Sequence, residues 1–129
     1  MKCPVSTYRI QLSPEFPLQD LREIIDYLEE LKISTIYAAP FFQAREGSTH
    51  GYDITDPLSL NQEIGTLEDF RRLRGKLREK EMTWLQDIVP NHMAFDGANN
   101  WLGSIIEYAQ LNRYYLFFDI DWRNKKVMA

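Results

Sequence analysis

Apolar and polar positions alternate at the start of the chain, and the period then changes several times. Within Val5 to Leu12, Tyr8, Ile10 and Leu12 share one face of an extended segment, which predicts a first strand. Ser13-Pro14-Glu15-Phe16-Pro17 reads as a turn. From Leu18 the spacing becomes helical: Leu21, Ile24, Ile25, Leu28 and Leu31 form one stripe, with Asp20, Glu23, Asp26, Glu29 and Glu30 on the wet side. Ile33 to Phe42 is almost continuously apolar and β-branched or aromatic, which predicts a second strand buried on both faces, as in a parallel sheet. Residues 43–65 read as a long polar loop with three glycines. Thr66 then stands as an N-cap with Asp69 as its capping-box partner, and Phe70, Leu73 and Leu77 mark the buried stripe of a second helix. Met82 to Val89 predicts a third strand, ended by Pro90. Asn99 or Asn100 caps a third helix that turns Leu102, Ile105, Ile106 and Ala109 inward. The order β-α-β-α-β implies an α/β fold with a parallel sheet and right-handed crossovers.

Length sharpens that expectation. The chain has 129 residues, whereas a closed eight-stranded β/α barrel takes about 250. One domain is expected, covering 1–129, and not a whole barrel. The net charge of −4, from 15 basic and 19 acidic residues, gives no general attraction for nucleic acid. The basic run at 71–80 is interleaved with Leu73 and Leu77 and reads as a solvated helix face. The longest apolar run, Ile36 to Phe42, is too short for a membrane span and holds Pro40. A single cysteine, Cys3, excludes an intramolecular disulfide and fits a reducing, cytoplasmic setting.

In parallel sheets, ligands bind beyond the carboxyl ends of the strands. That rule points to the loop after strand two and the segment after strand three, and so to His50, Tyr52, Asp53, Asp87, Asn91 and His92. Gly47-Ser48-Thr49-His50-Gly51-Tyr52-Asp53 combines an imidazole, a phenol ring and a carboxylate with two turn-forming glycines. An aromatic ring of this kind can lie against the apolar face of a sugar. Asp87 falls near the end of an apolar strand, where a carboxylate needs a partner. His50, Asp53, Asp87 and His92 do not have a recognised metal-ligand spacing, and no metal is assigned.

Four motifs occur in order: TYRIQ at 7–11, GSTHGYD at 47–53, DIVPNHM at 87–93 and FFDIDW at 117–122. Together they resemble the N-terminal part of the catalytic domain in the α-amylase family of glycoside hydrolases and transglycosidases. FFDIDW and TYRIQ narrow the resemblance to the trehalose-forming branch, the maltooligosyl trehalose synthases. The resemblance implies about three β/α units of a TIM (β/α)8 barrel, with an aromatic-rich helical insertion over 94–129. It implies that Tyr52 stacks on the reacting glucose, that His92 contacts the same sugar, and that Asp87 orients the site without breaking bonds. His50 and Asp53 would support the loop. Asn91 matches a position that ligates calcium in some amylases, but the trehalose-forming branch does not generally depend on that ion. The implied partner is a maltooligosaccharide or other α-glucan, with no cofactor, nucleic acid or membrane. Two departures stand out. Lys32 and Glu81 occupy helix ends where the family usually has glycine, and the stretch after Met93 lacks the expected proline- and tryptophan-rich wording.

Retaining glycoside chemistry needs two carboxyl groups about 5–5.5 Å apart. In the family these follow strands four and five, and no acidic residue here matches either motif. The expectation is therefore that these 129 residues alone do not turn over oligosaccharide. An amylase-type hydrolase is the alternative within the family. A non-catalytic sugar- or partner-binding module is the alternative outside it, with Tyr52, Trp101, Tyr114, Tyr115 and Trp122 as a stacking surface, although most of these aromatics are expected in the core. Three strands of an open barrel leave two bare edges, which predicts self-association.

Overall fold

The structure is a computed structural model and describes residues 3–123. Three strands, β1 (Thr7–Ile10), β2 (Thr35–Ala38) and β5 (Thr83–Gln86), form a parallel sheet in the order β1-β2-β5. The register aligns Thr7 with Thr35 and Thr83, and Arg9 with Tyr37 and Leu85. Because side chains alternate along a strand, the sheet has two different faces. Ile10, Ile36 and Ala38 face the helices and belong to the buried core with Leu18, Leu21, Ile25, Leu28, Leu73 and Leu77. The other face carries Thr7, Arg9, Thr35, Tyr37, Thr83 and Leu85. Two hydroxyls bridge neighbouring strands there, Thr35 Oγ1 to Thr83 Oγ1 at 2.7 Å.

The first helical stripe becomes two short helices, α1 (Leu18–Glu23) and α2 (Ile25–Glu30), broken at Ile24. Backbone hydrogen bonds still run across the break, from Ile24 N–H to Asp20 O and from Leu28 N–H to Ile24 O. Both α2 and α3 (Leu67–Glu79) close in Schellman motifs. Ile33 N–H donates to Leu28 O and Lys32 N–H to Glu29 O; Met82 N–H donates to Leu77 O and Glu81 N–H to Arg78 O. The motif needs a left-handed residue, and Lys32 (φ 62°) and Glu81 (φ 54°) supply it although neither is glycine. The basic run at 71–80 does face solvent, but part of it meets the acidic side of α2. Lys76 Nζ lies 2.7 Å from Asp26, and Lys80 Nζ 2.7 Å from Glu29.

Four sequence expectations are corrected. The apolar run at 33–42 is not one strand: β2 ends at Ala38, and Phe42 opens a separate strand. Residues 43–65 are not simply a loop, because β3 (Phe42–Ala44) and β4 (Ile54–Leu60) pair as an antiparallel ribbon with two register irregularities. In α4 (Asn100–Tyr108) Ile105 is buried but Ile106 is exposed, so the helix presents a narrower apolar face than its composition suggests. Trp101, Tyr114, Tyr115 and Trp122 lie outside the buried core and are half-exposed. Trp101 and Tyr114 stack at 4.6 Å, with Phe117 edge-on to both. Segment 94–99 is tied back to the ribbon by Ala94 N–H donating to Ile54 O at 2.8 Å and by an Arg45–Asp96 ion pair at 3.2 Å.

Candidate functional site

At the carboxyl end of the sheet, the backbone of Asp87 continues the ladder from β5, its N–H donating to Ala38 O at 3.0 Å. Alternation then turns the Asp87 side chain to the same face as Arg9 and Tyr37. The side chain is 18% exposed and is well supplied with donors. Arg9 Nη1 donates to Asp87 Oδ2 at 3.1 Å, and the Tyr52 hydroxyl donates to the same oxygen at 2.6 Å. The Tyr37 hydroxyl reaches it at 3.4 Å. Arg9 Nη2 donates to the Tyr52 oxygen at 2.8 Å, and the Arg9 guanidinium lies 4.4 Å above the Tyr37 ring. The Tyr52 hydrogen bond, with those from Arg9 and Tyr37, holds the Asp87 carboxyl below the usual carboxylate range despite some desolvation. The same bond to Asp87 raises the Tyr52 phenol above its ordinary value. Burial opposes the charge on Arg9, but the bonds to Asp87 and Tyr52 outweigh it and raise its pKa.

The loop that delivers Tyr52 turns on Gly51. Its φ is +76°, and a Cβ there would come within 2.6 Å of the Pro40 carbonyl oxygen. Ser48 Oγ hydrogen-bonds Asp53 Oδ1 and accepts from Gly51 N–H. His50 Nδ1 accepts from Tyr52 N–H at 3.0 Å and lies 3.8 Å from Asp53 Oδ1, and its ring stacks on Tyr52 with centroids 6.0 Å apart. Gln11 at the end of β1 donates to the carbonyls of Thr49 and His50, pinning the loop to the sheet.

His50, Tyr52, Asp53 and Asp87 thus come together as the strand-end rule suggests. Asn91 and His92 hydrogen-bond each other at 3.1 Å but make no bond to the Asp87 cluster among the described residues. They line a neighbouring groove of about 360 Å³ with Pro57, Trp101, Phe117 and Asp119. Arg9, Tyr37 and Gln11 were missed by the sequence reading. The available signal was parity: Arg9 and Gln11 alternate with Ile10 and so must leave the core face. Among the described residues, no cluster of three or more His, Cys, Asp or Glu side chains is placed to hold a metal ion. No helix among them is long and apolar enough to cross a membrane.

A parallel sheet backed by helices, with a carboxylate, an arginine and aromatic rings at its carboxyl end, suits polyol binding. Charged groups meet hydroxyls there, and rings meet C–H faces. A family model described as the alpha amylase catalytic domain matches residues 17–127. The chain belongs to that family, and its sheet is part of a (β/α)8 barrel. Among the relatives whose likeness spans most of the chain are maltooligosyl trehalose synthases. A putative one from Mycobacterium tuberculosis is 36% identical over 125 residues, which is 92% of this chain and 16% of that protein. The structure of the synthase from Arthrobacter ramosus superposes with a TM-score of 0.88 at 38% identity, covering 93% of this chain and 16% of the other. A hypothetical synthase from Sulfolobus tokodaii gives 0.89 at 38% identity, covering 98% and 17%. The chain therefore spans about one sixth of the length of these relatives.

Proposed function

We propose that this chain forms part of the sugar-binding wall of a maltooligosyl trehalose synthase. The reaction would isomerise the reducing-end α-1,4 bond of a maltooligosaccharide to an α,α-1,1 bond. In the two-carboxylate scheme the terminal glucosidic bond breaks as a glycosyl-enzyme forms. The released glucose then returns through its anomeric hydroxyl instead of water, so the atoms of substrate and product are the same and no cofactor is consumed. The observation that carries this reading is the 36% identity over 92% of the chain. The Tyr52–Asp87 pair supports it. Tyr52 would stack on the reacting glucose and Asp87 would take its hydroxyls, with His92 and Asn91 from the adjoining groove and His50 and Asp53 behind Tyr52. The two bond-breaking carboxylates lie outside these motifs, and the 129-residue polypeptide alone is inactive in this reading. Segment 94–129, of which 124–129 lie outside the described residues, would be an insertion after the third barrel strand. The single cysteine, free and exposed, fits a cytoplasmic setting.

A chimera tests the proposal. These 129 residues replace the matching segment of the Arthrobacter ramosus enzyme, and the product is incubated with maltopentaose. Isomerisation removes reducing ends and gives a trehalose-terminated sugar; hydrolysis adds reducing ends. Loss of reducing ends is expected. A folded chimera that only hydrolyses would favour the amylase-type reading, to which the 38% identity over 85 residues with a Bacillus cereus oligo-1,6-glucosidase lends some weight. A folded chimera with neither activity would overturn the enzymatic reading.

A further inference from the structure

We propose that Arg9 is a positioning residue for the sugar site, fixing Tyr52 and Asp87 relative to each other so that one carboxylate oxygen stays open to a sugar hydroxyl. The role at the sugar rests on the function proposed above; the geometry does not. Arg9 sits near the carboxyl end of β1, an edge strand beside β2, and its guanidinium is a rigid planar fork. One prong reaches Asp87 from the segment after β5, and the other reaches Tyr52 from the ribbon loop. The Tyr37 ring on β2 lies under the guanidinium plane and limits its tilt. One side chain therefore joins three elements that are far apart in sequence. The hydrogen bonds to the Asp87 carboxylate among the described residues all arrive at Oδ2, from Arg9, Tyr52 and Tyr37, and none goes to Oδ1. Such an arrangement holds the group by one oxygen and presents the other. Tyr52 is fixed in the same way, because its hydroxyl donates to Asp87 and accepts from Arg9, which sets the plane of its ring. The titratable groups around the carboxylate are Arg9, Tyr37 and Tyr52, with His50 stacked behind Tyr52 and Asp53 behind His50. A purely structural Arg9 would matter only for folding. A simple counter-charge would be replaced equally well by lysine.

The test uses the chimera with Arg9→Gln and Arg9→Lys. Misplacing a binding group by about 1 Å costs on the order of 10²-fold in rate. Arg9→Gln is therefore expected to lower kcat by roughly that factor at nearly constant KM, the pattern of an interaction made mainly in the transition state. Its acid limb moves to higher pH as the carboxyl loses a partner. Arg9→Lys recovers part of the rate, since it restores charge without the two-pronged reach. A kcat unchanged in Arg9→Gln would overturn the proposal. So would a loss that matches only a smaller folded fraction by circular dichroism, or complete rescue by lysine. Should the parent chimera make no product, the proposed function fails and Arg9 is judged in the 129-residue chain itself. There the Asp87 carboxyl carbon, followed by NMR, must titrate at higher pH in Arg9→Gln than in the unaltered chain. An unchanged titration would overturn the positioning role.

Discussion

Gly47 and Gly51 both hold a positive φ, near +72° and +76°, yet they answer different demands. A Cβ on Gly47 meets nothing within 4 Å, whereas one on Gly51 strikes the Pro40 carbonyl oxygen. Gly47→Ala should therefore cost only the left-handed backbone penalty, about 1 kcal/mol. Gly51→Ala should cost clearly more and shift the Tyr52 loop. Urea melts of the two variants check this, and equal losses would contradict it. The reverse change at Lys32, which pays the same penalty at φ 62°, should stabilise the chain: Lys32→Gly is expected to gain up to about 1 kcal/mol. The Asp87–Tyr52 bond has a defined pH window. Asp87 is lowered in the fold, so its contribution is present above its unfolded pKa of about 3.9 and is lost as pH falls through the folded value. Tyr52 is raised, so its contribution is present below about 10 and is lost as pH rises through the folded value. Ultraviolet titration at alkaline pH should show a late-ionising component from Tyr52 and from Tyr108, which Glu107 raises, and Tyr52→Phe should remove the Tyr52 share and leave that of Tyr108. At this scale the sequence pointed to His50, Tyr52, Asp53 and Asp87, which the fold brings together, but not to Arg9 and Tyr37, which join them. Periodicity shows that Arg9 leaves the core face. Only the register between β1, β2 and β5 shows what it meets there.

Among the elements, the two side-chain-capped helices differ in what their caps support. Thr66 and Asp69 form a full capping box on α3, exposed to solvent. Asn99 is fully buried, accepts from Leu102 N–H and donates to Ala94 O, so it caps α4 and also holds the preceding segment. Thr66→Ala should cost about 1 kcal/mol. Asn99→Ala should cost more, because it also removes the donor to the half-buried Ala94 carbonyl. Thermal melts order the two, and equal values would argue against the second role of Asn99. Both caps, the helical stripes and the three parallel strands could be read from the sequence, because each depends on local spacing. The β3–β4 ribbon could not. Its strands hold Gln43, Asp56, Pro57 and Ser59, its register slips twice, and side chains of Thr55 and Asp56 satisfy some of its polar groups. The break at Ile24 was also hidden, since the hydrophobic stripe passes through it unchanged.

For the molecule as a whole, β1 and β5 are both edge strands of a three-stranded sheet, with Leu85 exposed on the face away from the helices. Bare edges and exposed apolar side chains favour pairing with a second copy. We expect size-exclusion chromatography with light scattering to give masses above the 15.3 kDa monomer that rise with concentration. A constant monomer mass would contradict this. The strand order carries one more consequence. Each strand of the parallel sheet lies beside the one made before it, β2 beside β1 and β5 beside β2. The direction of synthesis and the direction of assembly therefore coincide on the ribosome. Arg9 is laid down first and waits for Tyr52 and then Asp87, so a nascent chain closes this cluster only when its third parallel strand has emerged.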